Sequence, residues 1–207
     1  MQRVEIHQQK TKTPLICRKS KDLYNYANYC VRQSFIKTSK LPREFDLTGK
    51  LAKRNRDCYK QLPAQTSQQT IKLLYKNWKS YFASIKDYKK TPAKYLGKPK
   101  LPKYLDKEGN FIVIFTNQQI KLKDSYIHFP KSTNLAPIKT KVDNVCQVRI
   151  VPNKYAFKIE VVYKIGSKLA DLDNKKHLAV DLGVNNLVTI LDTESNGLIV
   201  KGKIVKS

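Results

Sequence analysis

The spacing of apolar and polar residues runs from period two to helical and back to period two. Residues 2–8 alternate, with Val4 and Ile6 on one side, and predict a β-strand. Residues 9–14 form a polar link ending at Pro14. From Cys17 to Lys37 the period becomes helical. Leu23, Tyr26, Ala27, Cys30 and Val31 recur at three- and four-residue steps, and Tyr24, Asn28 and Arg32 fall on the other side. That second stripe is either a solvated face or a set of donors for phosphate and sugar. Leu41-Pro42 ends the helix. A second helix is predicted over Asp46 to Tyr59, with Leu47, Leu51 and Cys58 as its apolar side and Gly49 weakening it. The third is the clearest. Pro63 fits a first-turn position, and the pattern continues to about Tyr88. Ile71, Leu74, Tyr75, Trp78, Phe82 and Ile85 make one stripe, read as core. Lys72, Lys76, Lys79 and Lys86 make a second at the same period.

Residues 86–107 contain 8 lysines and 2 aspartates. Pro92, Pro99 and Pro102 exclude a continuous helix and hold the backbone extended. From Phe111 the pattern is β. Phe111–Phe115 is a continuous apolar strand. Gln119 to Lys123 and Ser125 to Phe129 flank a turn at Lys123-Asp124, and Val145 to Val151 and Lys154 to Tyr163 flank one at Pro152-Asn153. Short antiparallel strands at this spacing predict a small barrel. The strand at 2–8 needs partners and is expected to pair with these later ones. Residues 165–176 are polar. Leu178, Val180 and Leu182 then alternate with Ala179, Asp181 and Gly183. Turns at Gly183–Asn186 and Glu194–Gly197 separate this strand from Leu187–Leu191 and Leu198–Val200, a three-strand antiparallel meander. The fold class is α+β.

Charge narrows the function. In 207 residues, 41 Lys and Arg stand against 16 Asp and Glu, a net +25. A surface this basic calls for a polyanion. An anionic membrane is one candidate. The lysines lie in folded-looking segments among 12 Tyr, 7 Phe and 1 Trp, which favours nucleic acid. Lys72, Lys76, Lys79 and Lys86 on the third helix are candidate phosphate ligands. So are Lys89, Lys90, Lys94, Lys98, Lys100 and Lys103 in the extended stretch, where Tyr88, Tyr95 and Tyr104 lie between the charges. A solvated linker is the alternative for that stretch, and contact is favoured. There is no run of about eighteen apolar residues and no apolar signal-peptide core at the start, so an intracellular, cytoplasmic protein is expected. Cys17, Cys30, Cys58 and Cys146 form no C-x-x-C pair and are read as reduced core residues.

Asp181 sits on an apolar strand, where a carboxylate costs energy unless it is paired or binds a cation. From spacing alone an Asx-turn is the favoured reading. The other is the first metal-binding Asp of a two-ion nuclease.

Leu178-Ala179-Val180-Asp181-Leu182-Gly183-Val184-Asn185-Asn186-Leu187 resembles the first RuvC motif of TnpB, the transposon-encoded RNA-guided nuclease family related to type V CRISPR effectors. Tyr75–Phe82 and Gly97–Tyr104 are similar to stretches in that family's amino-terminal half, in the same order. The resemblance implies a wedge-like β-barrel over 1–14 and 108–165, a helical recognition-type insertion over 15–107, and the start of an RNase H-like (RuvC) sheet over 172–207. It implies guide RNA and target DNA as partners, held through their backbones while base pairing reads sequence. Asp181 would be a catalytic, metal-binding carboxylate. The family's nuclease also needs a Glu and a second Asp from later segments, and this chain stops before either. Mg2+ would then be held only if a second chain supplied the rest of RuvC. The expectation is a nucleic-acid-binding portion, incompetent for cleavage alone. The alternatives are a guide-independent RNA- or DNA-binding protein and a decayed fragment that does not fold by itself.

Overall fold

The computed structural model describes residues 2–9, 14–54, 56–153, 156–166, 175–183 and 185–202. The fold is α+β. It runs β1 (Gln2–Gln9), α1 (Leu15–Thr38), α2 (Glu44–Arg54), α3 (Arg56–Lys60) and α4 (Ala64–Lys90), then a 3-10 turn at Pro92–Lys94. Next come β2 (Val113–Thr116), β3 (Lys121–Lys123), β4 (Tyr126–His128), β5 (Ile138–Lys139), β6 (Val145–Pro152) and β7 (Phe157–Lys164). The chain closes with β8 (Leu178–Asp181), β9 (Asn186–Asp192) and β10 (Gly197–Lys201). It divides into two units, Met1–Gly166 and Ser167–Ser207.

In the first unit, α1 and α4 pack on each other and α4 packs on β2. Leu23, Ala27 and Val31 of α1 and Ile71, Leu74 and Trp78 of α4 are fully buried. They share one core with Val113, Phe115, Val148, Ile150 and Val161 of the sheet. The predicted apolar stripe of the third helix is therefore core as far as Trp78, and Phe82 marks where it opens to solvent at 36% exposure.

The main sheet has the order β1-β7-β6-β2, antiparallel throughout. β1 pairs with β7 from Gln2 opposite Lys164 to Gln9 opposite Phe157, so the isolated first strand finds its partner about 150 residues later. Its buried side is the polar one. Val4 and Ile6 are 46% and 55% exposed, while Glu5 and His7 continue the inner rows Phe115–Val148–Val161 and Val113–Ile150–Ile159. Burial works to raise the Glu5 carboxyl. The Thr140 hydroxyl that donates to it and the nearby His7 more than offset this, and the group lies below its usual range.

A second sheet, β3-β4-β5, is separate. Asp124 and Ser125 join β3 to β4 with φ of 51° and 61°, the two positive values of a tight two-residue hairpin loop. Among the described residues the strands form two open sheets and not the closed barrel that their spacing predicts. The reason lies where β2 ends. Thr116 donates to Gln65, Gln65 donates to Gln118 at 2.8 Å, and Thr66 bonds with Gln119. The start of α4 thus tethers the turn after β2, and the strands that follow pair among themselves as β3-β4-β5.

The helix predicted over 46–59 is two helices, α2 and α3. Leu47 and Leu51 are buried as expected. Gly49 is exposed within α2, and a Cβ added there meets nothing within 4 Å. Gly49→Ala should therefore raise stability by about 0.5–1 kcal/mol, through a better helix former and a stiffer unfolded chain. A thermal melt followed by circular dichroism should show a rise of a few degrees. An unchanged or lower midpoint would mean that the position has a contact which the fold does not reveal.

The second unit is a three-stranded antiparallel sheet, order β10-β9-β8. Leu178, Val180, Val188, Ile190, Leu198 and Val200 share one face; Ala179, Asp181, Leu187, Thr189, Leu191 and Ile199 share the other. The predicted polar link at 165–176 lies mostly outside the described residues.

Candidate nucleic-acid interface

Residues at steps of four and three lie on one side of an α-helix. Lys72, Lys76 and Lys79 do so on α4, and Lys86 and Lys90 continue the same row. The row spans about 27 Å at 1.5 Å per residue. Lys89 lies about 100° round the helix from it. All six side chains are exposed. Lys72, Lys76 and Lys79 line a groove of about 360 Å³, whose other wall is the sheet: Ile114, Gln147 and Arg149. Arg149 alternates with buried Val148 and Ile150, so it points away from the core into this groove. Its guanidinium lies 3.7 Å from Glu160 on β7. Glu44 is the one carboxylate lining the groove.

The extended stretch after α4 is not a free linker. It is clasped along α1. Arg18, Lys21, Asn25, Asn28 and Arg32 recur at steps of three and four, so they form one stripe. Arg18 pairs with Glu108 at 2.6 Å. Lys21 donates to the Lys107 carbonyl at 2.7 Å. Asn25 donates to the Leu105 carbonyl and accepts from the Leu105 amide, both at 2.8 Å. Asn28 donates to the Pro102 and Lys103 carbonyls at 3.2 Å each. Arg32 donates to Pro102 and lies 4.9 Å above the Tyr104 ring. Asn28 is fully buried, and its own carbonyl accepts from Trp78 Nε1. The predicted second stripe of α1 is thus divided. Tyr24 and Asn28 are core, and Asn28 and Arg32 bind the protein's own backbone. None of the three is a solvated face or a free phosphate donor.

The strap that this clasp holds presents Lys98, Lys100 and Lys103 to solvent. Lys94 is engaged. Its Nζ lies 3.3 Å from Asp87, which also accepts from the Tyr95 hydroxyl at 2.7 Å. These bonds, Tyr95 foremost, hold the Asp87 carboxyl below its usual range. The structure therefore brings Lys72, Lys76 and Lys79 together with Arg149. It sets Lys86 and Lys90 further along the same row and places Lys98, Lys100 and Lys103 on a separate rail. Arg149 escaped the sequence reading because it stands alone in an apolar strand; the alternation around it is the signal.

Asp181 ends β8, exposed, with Thr189 opposite. Among the described residues its carboxylate accepts no hydrogen bond, so the expected Asx-turn is not formed there. Gly183 shapes the turn instead, since a Cβ on it would come within 2.9 Å of the Asn186 carbonyl. The true Asx arrangement is at Asp192, which accepts from the Glu194 and Asn196 amides at 2.9 and 2.8 Å and from the Asn196 side chain at 2.9 Å. The Asn196 bonds hold its carboxyl below the usual range. Asp192 opposes Leu178 and so lies on the other face of the sheet from Asp181. No group of three His, Cys, Asp or Glu among the described residues could hold a metal. Among the described residues, Asp181 therefore has no set of carboxylates that fits a two-ion centre. Cys17, Cys30 and Cys146 carry free thiols, with Cys17 buried and pushed up to about 12 by that burial. Among the described residues, no helix is long and apolar enough to cross a membrane.

No protein-family model matches the chain, and no curated protein matches it. Among solved structures it is similar to a chain of a CRISPR-Cas12f ternary complex, at 12% identity and a TM-score of 0.44, over 92% of this chain and 49% of that one. It is also similar to a chain of a Cas12f1–sgRNA–target DNA complex, at 11% identity and a TM-score of 0.31, over 99% of this chain and 58% of that one. The chain thus spans about half the length of the first of these. Scores this low assign neither a fold nor an activity to it.

Proposed function

We propose that this chain is the nucleic-acid-binding portion of a TnpB-like RNA-guided endonuclease, and that it does not cleave by itself. The observation that carries this reading is the row Lys72–Lys76–Lys79 facing Arg149 across a groove, on a chain of net charge +25. Helix and strap together offer two cationic rails for a sugar–phosphate backbone. The resemblance of residues 178–187 to a RuvC motif supports the guide-directed assignment. In this reading β8–β10 are RuvC strands, residues 15–107 are the recognition insertion, and Asp181 is a metal ligand that no group of acidic side chains among the described residues completes. Magnesium keeps most of its water unless several hard ligands converge, so one carboxylate holds it weakly.

The test uses purified chain, a structured RNA encoded beside its gene, an unrelated RNA of equal length, matching DNA and magnesium. The neighbouring RNA should remain bound at salt that strips the unrelated one. No DNA should be cut, and Asp181→Ala should bind as the parent does. Equal retention of both RNAs would make the chain a guide-independent binder. Cutting that disappears in Asp181→Ala would overturn the claim of incompetence.

A further inference from the structure

The small sheet β3-β4-β5 carries a third cationic surface. Residues directly opposite in neighbouring strands point to the same side. Lys121 opposes His128, Lys123 opposes Tyr126, and Tyr126 opposes Lys139. All five are exposed on one face, while Ile127 on the other is fully buried. None of these lysines has an ion pair among the described residues. A groove of about 480 Å³ opens on this face, lined by Gln119, Lys121, Lys123, His128, Phe129, Pro130 and Lys131. Its floor is apolar. Phe129 packs one side against Phe115, with ring centroids 5.2 Å apart, and lines the groove as well.

A cationic rim around an aromatic floor has a specific complement. We infer that this groove takes an unpaired nucleotide of single-stranded nucleic acid, its base on Phe129 and Pro130 and its flanking phosphates on Lys121, Lys123 and Lys131. A base has a free face for such stacking only when it is not enclosed in a duplex. A duplex encloses its bases and has nothing to lay on this floor, so it gains nothing here over the α4 row. An acidic peptide would match the charge but not the flat apolar floor. The inference rests on the chain being a nucleic-acid binder and adds a further place and a class of ligand, remote in sequence from the α4 row.

The experiment compares the parent chain with Lys121→Gln/Lys123→Gln and with Lys72→Gln/Lys76→Gln/Lys79→Gln. The probes are a short fluorescein-labelled oligouridylate and a hairpin duplex. Two lost phosphate contacts should weaken oligouridylate binding about tenfold. Hairpin affinity and melting temperature should stay unchanged. Ultraviolet crosslinking of a bromouridine-substituted strand should map to residues 119–131. Unchanged oligouridylate binding in the Lys121/Lys123 variant, with loss in the α4 variant, would overturn the groove and leave the proposed function standing. Equal losses on strand and hairpin, or equal displacement by polyglutamate, would overturn the nucleotide assignment. Unchanged binding in both variants, and also in Lys98→Ala/Lys100→Ala/Lys103→Ala, would remove the nucleic-acid reading itself.

Discussion

Affinity of the chain for RNA is expected to fall about a thousandfold between about 50 and 200 mM salt, the change for some six neutralised phosphates. The exposed lysines on α4 and on the strap supply that number of contacts without help from any other surface. Each phosphate contact releases counterions and adds about 0.7 to 0.9 to the logarithmic salt slope. Replacing Lys72, Lys76 and Lys79 with Gln should therefore lower the slope by about 2 to 3. These side chains are exposed, so stability should stay within about 0.5 kcal/mol. Arg149 makes a sharper probe of the groove, because it enters from the opposite wall and is already close to Glu160. Its replacement with Gln should cost a further contact only if the ligand lies between helix and sheet. A binding curve that stays flat over this salt range would remove the electrostatic argument altogether.

Asn28→Ala should destabilise the first unit by about 2–4 kcal/mol. The side chain is fully buried and makes three hydrogen bonds, to Trp78 and to the carbonyls of Pro102 and Lys103. Removing it leaves a buried indole N–H without a partner, at about 1–3 kcal/mol, and a void at the joint of α1, α4 and the strap. For a unit of this size the melting temperature should drop by about 5–15 °C. Limited proteolysis should then open the chain between Lys98 and Lys107 before anywhere else in the helical region. Lys98→Ala, Lys100→Ala and Lys103→Ala lie in the same strap and should leave the melting temperature where it is while weakening RNA binding. If the lysine variants melt early and Asn28→Ala does not, the clasp is not what holds the strap.

Part of this architecture could be read from the residues in order. The apolar stripe of α4, the hairpin at Asp124 and the meander after Leu178 follow from local periodicity and turn chemistry. The pairing of β1 followed from a subtler point, that one strand without neighbours has to find some. What could not be read was which side of an element meets the core. Val4 and Ile6 announce a strand, but the register of β7 places Glu5 and His7 inward, and that register is set 150 residues away. Asn28 resembles a surface residue on α1 because its partners, Trp78 and two backbone carbonyls, lie on α4 and the strap. A backbone carbonyl has no signature in a sequence. The open sheets were hidden for the same reason: Gln65 bonds Thr116 at the end of β2 and Thr66 bonds Gln119 in the turn beyond it, and nothing in the strands themselves records this. The lysine row was legible because helical period and exposure go together on α4. Its partner Arg149 required knowledge of the groove's other wall.

The clasp on α1 grips mainly carbonyl oxygens, and every amino acid has one. The path of the strap is therefore fixed by α1, while the charged side chains along residues 98–107 are left free to change. Leu101 and Leu105, which pack on the core, Tyr104 beneath Arg32, and Pro99 and Pro102, which keep the backbone extended, are the ones tied to their identities. Lys98, Lys100 and Lys103 could be exchanged for residues of another charge, size or aromatic character without disturbing the scaffold that displays them. What the chain binds and whether it folds are written, in this segment, in different atoms, so selection can revise one while leaving the other untouched.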